Sequence, residues 1–378
     1  MPENSHLCLR IDVRSFTQRG NMSTKILTSS EYPKLQPAYG LWSLYDPASA
    51  PLRFQAQNLA EAEEWQRRVR PALREAVGFN DLPPAPLDPL LIEQVDRGDH
   101  LREKWLLQTW QGAVMPVYLL LPKGKPGPLP VVVAFHGHGY GAKDVVGLWE
   151  DGQERLTPDG YHKDFGVEFA RRGFAVAVPE ISCFGERRTD FSYLNQVIGQ
   201  PVPDTCDHTA RLAFHLGGSV VGLRGHDAMR LIDWLETRAD LDTHRLGAMG
   251  ISGGGMHTLF SSCLDPRIRA CVISCYYSTF QASILGMHHC ACNFVPGLHR
   301  FGEMYDLIGL VAPRPVLIEA GTYDPIFPLP AVKASVQIAR ERVYRLWGAE
   351  NQFETDIFEG RHRISAQRAY DFMAEKLG

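Results

Sequence analysis

Short apolar runs alternate with amphipathic segments from about residue 130 to the end of the chain. The apolar runs have the length of buried strands, and they predict strands at 130–135, 173–179, 245–249, 269–275, 314–320 and 353–358. The intervening segments have helical periodicity, and they predict helices at 163–172, 219–238, 254–264, 329–346 and 364–376. Because strands alternate with helices, we predict an α/β fold with a mostly parallel central sheet and helices on both faces.

The N-terminal third has a different pattern. Residues 58–77 carry apolar positions at helical spacing, with Pro71 as a candidate kink, and a Pro-rich linker follows at 82–89. Two apolar runs at 104–110 and 115–122 then predict a β-hairpin that leads into the α/β region.

Two connections in the α/β region are too long to be simple turns. Each has about 35 residues, whereas strand-to-helix links in such sheets typically have about 2–6. Both leave the carboxyl ends of strands, where open α/β sheets bind ligands, so they are predicted to form the walls and lid of a pocket. The predicted organisation is an N-terminal extension, partly irregular, at 1–57, a helical lead-in with the Pro-rich linker at 58–102, and a main domain at 103–378 with insertions at 182–217 and 276–310.

Composition limits the classes of partner. The formal net charge is −4 and the isoelectric point is near 6.4, which gives no indication of nucleic acid or an anionic membrane as partner. The longest apolar runs are too short to cross a bilayer, and the first residues lack the features of a signal peptide. We therefore expect a cytoplasmic protein that acts on a small molecule and keeps its eight cysteines as reduced thiols, in an oligomeric state that the sequence does not specify.

Ser252 is the strongest candidate for a reactive residue. It lies in Gly250-Ile-Ser-Gly-Gly254, between a predicted strand and a predicted helix, which is the context in which Gly-x-Ser-x-Gly forms a nucleophile elbow. The glycines permit a strained backbone, and the helix N-terminus directs free N–H groups toward a reacting oxygen. The same pentapeptide also occurs without a catalytic role, so the prediction requires partners elsewhere in the chain.

A serine nucleophile needs a base to take its proton and an acid to orient that base. In a fold with this order of elements, the acid and then the histidine follow the serine along the chain. Asp324 comes after strand 314–320, and His362 comes after strand 353–358 as the only histidine beyond Asp324. The alternatives are a turn-forming aspartate before Pro325 and a surface histidine.

A Gly-rich loop follows strand 130–135. It reads His136-Gly-His-Gly-Tyr-Gly141, and the loop at this point in such folds supplies an N–H group to the oxyanion hole. We predict that the donors are the backbone N–H groups of Gly253 and His138, with Gly139 as a third candidate. The alternative is a tight turn with no catalytic role.

Taken together, these motifs resemble the α/β-hydrolases of the dienelactone-hydrolase-like and acetyl-xylan-esterase-like branch. The resemblance extends from about residue 61 to the C-terminus and also includes Phe184-Gly-Glu-Arg, Asn293-Phe-Val-Pro-Gly-Leu and Ala312-Pro-Arg-Pro. It implies an α/β-hydrolase fold with long lid-like loops and hydrolysis of carboxylic esters without a cofactor. The chain departs from the dienelactone hydrolases in having Ser252 where they have cysteine, and Arg361 precedes His362 where related sequences often have glycine.

The sequence therefore predicts a serine esterase for small to medium acyl esters, including acetylated sugars. A prolyl-oligopeptidase-like peptidase and a catalytically silent binding scaffold are the alternatives, although the first usually carries a large β-propeller for which this chain has no room. Tyr276, His288 and Phe294, in the second long connection, are the candidate substrate-binding residues. No metal is expected, because Cys290-Ala-Cys292 lacks the Cys-x-x-Cys spacing typical of zinc sites.

Overall fold

The structure is a computed structural model that describes residues 28–83, 85–192 and 204–378. The chain divides into two compact units, Met1–Asp46 and Pro47–Gly378. The described part of the first unit contains a short helix, α1 (Pro37–Trp42). The second unit contains the sheet, its covering helices and all the candidate site residues.

Within the described residues, nine strands form one sheet in the order β1-β2-β3-β5-β4-β6-β7-β8-β9. The first three are antiparallel to their neighbours, and the strands from β4 to β9 are parallel. The predicted mostly parallel sheet is thereby confirmed. The strands are β1 (Leu90–Asp96), β2 (His100–Trp110), β3 (Ala113–Pro122), β4 (Leu129–Phe135), β5 (Ala175–Pro179), β6 (Leu241–Ile251), β7 (Ala270–Ser274), β8 (Val316–Gly321) and β9 (Phe353–Phe358).

Helices cover both faces of the sheet. Successive residues of β4 point to opposite faces, so Val131 and Val133 belong to one hydrophobic core while Val132 and Ala134 belong to the other. The first core is covered by α2, α5, α6 and α8, and the second by α3 and α9. The α-helices among the described residues of this unit are α2 (Leu59–Val77), α3 (Phe165–Arg171), α4 (Thr205–His215), α5 (Val220–Glu236), α6 (Gly253–Leu264), α7 (Met304–Leu307), α8 (Leu329–Ile338) and α9 (Ala369–Leu377). Among the described helices, none is both long and apolar enough to cross a membrane.

The structure differs from the predicted elements at three places. Strand β1 lies in the segment that was predicted to be a lead-in and linker. The sequence did not predict this strand, because it is an exposed edge strand with an irregular register and shows no clean apolar alternation. The first long connection contains α4, whose N-terminus is capped by the Asp204 side chain. The helix predicted at 329–346 ends as α8 at Ile338 and continues as a π-helical turn, Ala339–Val343, and a 3₁₀ turn, Tyr344–Trp347.

Glycines allow the first turn of α6 to lie directly against the end of β4. A Cβ atom at Gly254 would be 2.1 Å from the carbonyl oxygen of Phe135 and 2.6 Å from that of His136. A Cβ atom at Gly250 would be 2.3 Å from the carbonyl oxygen of Gly254. This close contact brings Ser252 beside the loop that follows β4.

We expect Gly254→Ala to lower the free energy of unfolding by about 3 kcal/mol or more, since the added methyl group meets backbone atoms that cannot rotate away. Guanidinium-induced unfolding, followed by far-ultraviolet circular dichroism, measures the change. Gly127→Ala is the matched control, because a Cβ atom there would be 3.5 Å from its nearest neighbour and its effect should stay within about 0.5 kcal/mol. Equal unfolding midpoints for the two variants would contradict this account of the contact.

Candidate active site

Ser252 occupies a strained turn between β6 and α6. Its backbone has φ 58° and ψ −120°, in a region that a residue with a side chain rarely adopts. The turn is held on both sides: the Ser252 N–H donates to the carbonyl of Ser274 at 3.0 Å, and the Met256 N–H donates to the carbonyl of Ser252 at 2.9 Å. This is the geometry that a nucleophile elbow requires.

Asp324 and His362 are joined by a hydrogen bond. The Nδ1 atom of His362 donates to Oδ2 of Asp324 at 2.7 Å, and the carboxylate is almost fully buried. The other carboxylate oxygen accepts the N–H groups of Ile326 and Phe327 at 3.0 and 3.2 Å. Asp324 therefore forms a turn, as the alternative interpretation proposed, and orients the imidazole with its second oxygen.

The His362 ring is held between two aromatic side chains. It stacks on Phe327 with a 14° angle between the ring planes and on Tyr161 with a 29° angle, each at a centroid distance of 5.8 Å. Its Nε2 atom is buried and makes no hydrogen bond with any described residue. His362 and Ser252 line the same cavity, so this nitrogen is available as a proton acceptor there.

Two backbone N–H groups near Ser252 have no hydrogen-bond acceptor in the part of the chain that the structure describes, as the predicted oxyanion donors require. Gly253 is the first residue of α6, so its N–H has no partner within the helix. The His138 N–H makes no hydrogen bond among the described residues, whereas the N–H of Gly137 is already bound to Nε2 of His162 at 2.7 Å. Gly139 does not line the cavity, and its carbonyl accepts a hydrogen bond from Arg188.

A buried polar network supports the His138 segment. The Tyr161 hydroxyl donates to the carbonyl of His138, and burial raises the pKa of that hydroxyl, so it remains a donor. Burial also lowers the pKa of His162, so its neutral ring accepts the Gly137 N–H with Nε2 and donates to Asp144 with Nδ1 at 2.7 Å.

Asp144 remains ionised beneath this network. Burial raises the pKa of its carboxyl, but hydrogen bonds from His162, Arg155 and Tyr140 lower the pKa to about 2. Arg155 also forms an ion pair with Asp164 and is itself buried. The loop between β4 and α3 is therefore held by side chains that are paired with one another in the interior.

The cavity in front of Ser252 has a volume of about 310 Å³. Of the three predicted substrate-binding residues, Tyr276 and His288 line it, whereas Phe294 packs against the main core and its neighbour Asn293 lines the cavity instead. Several other residues also line the cavity: Tyr161, His289, Cys290, Ile326 and Phe327. Tyr161 lies in a loop without a motif and was not predicted, whereas the other four closely follow the predicted residues His288 and Asp324 along the chain.

Two groups of side chains have metal-ligand donor atoms close together within the described residues. One consists of Cys275, Asp324 and His362, of which the last two are already hydrogen-bonded to each other. The other consists of His138, Cys206, Cys290 and Cys292, and it borders the cavity at His138 and Cys290.

Comparison with known proteins identifies similar chains. The family model described as "Abhydrolase family" matches residues 46–368. The provisionally assigned hydrolase YtaP of Bacillus subtilis strain 168 is 27% identical over 264 residues, which cover 67% of this chain and 80% of that protein.

Two solved structures show the same fold. A provisionally assigned acetyl xylan esterase of Bacteroides fragilis has a TM-score of 0.70 at 18% identity, with 88% of this chain and 83% of that chain covered. A glucuronoyl esterase of Solibacter usitatus has a TM-score of 0.61 at 16% identity, with 88% of this chain and all of that chain covered. The family match spans most of the sequence and agrees with the sheet order and the strand–serine–helix turn. The chain therefore belongs to the Abhydrolase family of α/β-hydrolases.

Proposed function

We propose that this protein is a serine hydrolase that cleaves carboxylic esters of small to medium acyl groups through an acyl-enzyme intermediate. The observation that carries the proposal is the hydrogen-bonded pair of Asp324 and His362 beside Ser252: His362 and Ser252 line one cavity, and Nε2 of His362 has no hydrogen-bond partner among the described residues. A nucleophile, a base and an orienting acid then act on one bound substrate.

In the proposed reaction, the Ser252 hydroxyl attacks the ester carbonyl carbon and Nε2 of His362 takes its proton. Asp324 stabilises the imidazolium that forms, and the N–H groups of Gly253 and His138 bind the oxyanion. The tetrahedral intermediate releases the alcohol, which receives the proton from His362. Water, activated by the same imidazole, then attacks the acyl-enzyme and restores the Ser252 hydroxyl.

The cavity favours a short acyl group. Its volume of about 310 Å³ is at the lower end of the range for small-molecule sites, and Tyr276 and Phe327 give it rigid aromatic walls. Esters of sugars are a plausible subset of substrates, since proteins of similar fold carry the names acetyl xylan esterase and glucuronoyl esterase.

Ser252→Ala should lower kcat for p-nitrophenyl acetate by at least about 10⁴-fold, because the substitution removes the hydroxyl that is proposed to form the acyl-enzyme. It should also abolish labelling by a fluorophosphonate, measured as a mass increase of the intact protein. Ser261→Ala, a buried position in α6 that does not line the cavity, is the control and should retain both activities. Retention of more than about one per cent of the turnover by Ser252→Ala would exclude Ser252 as the nucleophile.

Tyr161→Phe should lower kcat by about tenfold with little change in KM. The substitution removes the hydroxyl that holds the His138 carbonyl, and oxyanion donors act mainly in the transition state, where loss of a whole donor costs about 10²–10³. Tyr370→Phe, a buried tyrosine of the second core, is the matched control. A rise in KM at constant kcat would instead indicate that the Tyr161 hydroxyl binds substrate in the ground state.

A series of p-nitrophenyl esters tests the acyl specificity. We expect kcat/KM for the acetate and butyrate to exceed that for the octanoate by at least about tenfold, because the longer chain does not fit the cavity. Acetylated xylose should release acetate, whereas peptide anilides should remain intact. A preference for octanoate would contradict the proposed short acyl site, and cleavage of the anilides would favour a peptidase.

A further inference from the structure

Four potential metal ligands converge beside the proposed active site. They are the imidazole of His138 and the thiols of Cys206, Cys290 and Cys292, and their donor atoms all lie within 4.8 Å of one another. His138 belongs to the loop after β4, Cys206 to α4 in the first insertion, and the other two cysteines to the second insertion. Sequence spacing could not reveal this cluster, because its members come from three separate segments.

The spacing of these donors suits a tetrahedral zinc ion. Zinc binds thiolate sulfur at about 2.3 Å and imidazole nitrogen at about 2.0–2.1 Å, so a tetrahedral site separates a sulfur from a nitrogen by about 3.6 Å. The Nε2 atom of His138 is 3.8 Å from Sγ of Cys292. Cys206 and Cys292 are buried, whereas His138 and Cys290 are half-buried at the edge of the cavity, from which a metal ion could enter.

A buried arginine supplies an independent indication of negative charge at the cluster. Arg224 is only 1% exposed and forms no ion pair with a carboxylate among the described residues. Its Nη2 atom donates to the carbonyl of Ser182 at 3.1 Å, but Nε and Nη1 have no hydrogen-bond partner there. A buried, unpaired guanidinium is energetically costly unless an anion lies nearby.

The cluster lies close to this arginine. The Arg224 guanidinium carbon is 5.5 Å from the centre of the Phe184 ring, and the same ring packs edge-on against the His138 imidazole at a centroid distance of 4.9 Å. Thiolates that bind a metal ion would supply the negative charge that the buried guanidinium otherwise lacks.

We propose that His138, Cys206, Cys290 and Cys292 bind one Zn²⁺ ion in a tetrahedral structural site, with Arg224 as its buried counter-ion. Each coordinating thiol loses its proton on binding, so three thiolates and one Zn²⁺ carry a net charge of about −1, which Arg224 balances. A disulfide between two of these cysteines would remove the thiolate charge and leave Arg224 unpaired, so the burial of Arg224 favours the metal.

The ion would fasten both insertions to the loop that carries His138. Cys290 and His138 also line the cavity in front of Ser252, and the N–H of His138 is a proposed oxyanion donor. Coordination through the His138 ring would restrict the backbone of the same residue. The ion would therefore shape the substrate cavity without contacting the reacting atoms.

Metal analysis of the purified protein tests the site directly. The protein is prepared without a histidine tag and with a phosphine reductant, then analysed by inductively coupled plasma mass spectrometry after dialysis. We expect about one zinc ion per chain in the wild type and in Ser252→Ala, and at least about a tenfold loss in Cys206→Ser and in Cys292→Ser. Cys263→Ala, a buried cysteine outside the cluster whose thiol donates to the carbonyl of Leu307, is the control and should retain the metal.

Cobalt substitution provides a second measurement that needs no cluster variant. Wild-type protein stripped of metal with a chelator and then titrated with Co²⁺ should develop thiolate-to-cobalt charge-transfer bands and the intense visible bands of tetrahedral cobalt, saturating at about one equivalent. Zinc should then displace these bands. If the reduced protein develops no cobalt absorption bands, the proposal is wrong. It is also wrong if a thiol titration in the presence of reductant finds two fewer free thiols than the sequence contains, because that result would indicate a disulfide. Neither result depends on esterase activity, so failure of this proposal is distinguishable from failure of the proposed reaction.

Discussion

The close backbone contact between the first turn of α6 and the end of β4 determines where Ser252 and the proposed oxyanion donors lie, and the other candidate residues are arranged around them. Only glycine fits at positions 250 and 254, because a side chain at either would collide with carbonyl oxygens. The contact forces Ser252 into its strained turn and exposes the first N–H groups of α6 beside the loop after β4. The positions of the proposed nucleophile and of both proposed oxyanion donors depend on this contact.

Each remaining member of the site is fixed by interactions with its own surroundings. His362 is oriented by a carboxylate and held by two aromatic rings, and Asp324 is fixed in turn by two backbone N–H groups. The loop with His138 is tied to Tyr161 and to the buried network beneath it. Such restraints hold reacting groups near their productive geometry, and the proposed zinc ion would extend them to the cavity walls.

Local patterns in the sequence were sufficient to predict the fold class and to select the candidate catalytic residues. Buried parallel strands are continuous apolar runs, and Ser252, Asp324 and His362 each follow such a run in the order typical of the fold. The remaining features depend on tertiary structure. Strand β1 is an exposed edge strand whose sequence has no clear alternation of apolar and polar residues. Phe327 contacts His362 only because two loops bring their rings together. The cluster of His138 and three cysteines joins segments that are far apart in the chain.

The proposed reaction requires the Ser252 hydroxyl, the His362 imidazole and two backbone N–H donors to meet at a single ester carbonyl group. A crystal structure of the protein inhibited by a small alkyl fluorophosphonate tests this most directly. We expect phosphorus bonded to Oγ of Ser252, with the phosphonyl oxygen about 2.7–3.1 Å from the N–H nitrogens of Gly253 and His138. A phosphonate on another residue, or an oxygen directed away from both nitrogens, would contradict the proposed reaction.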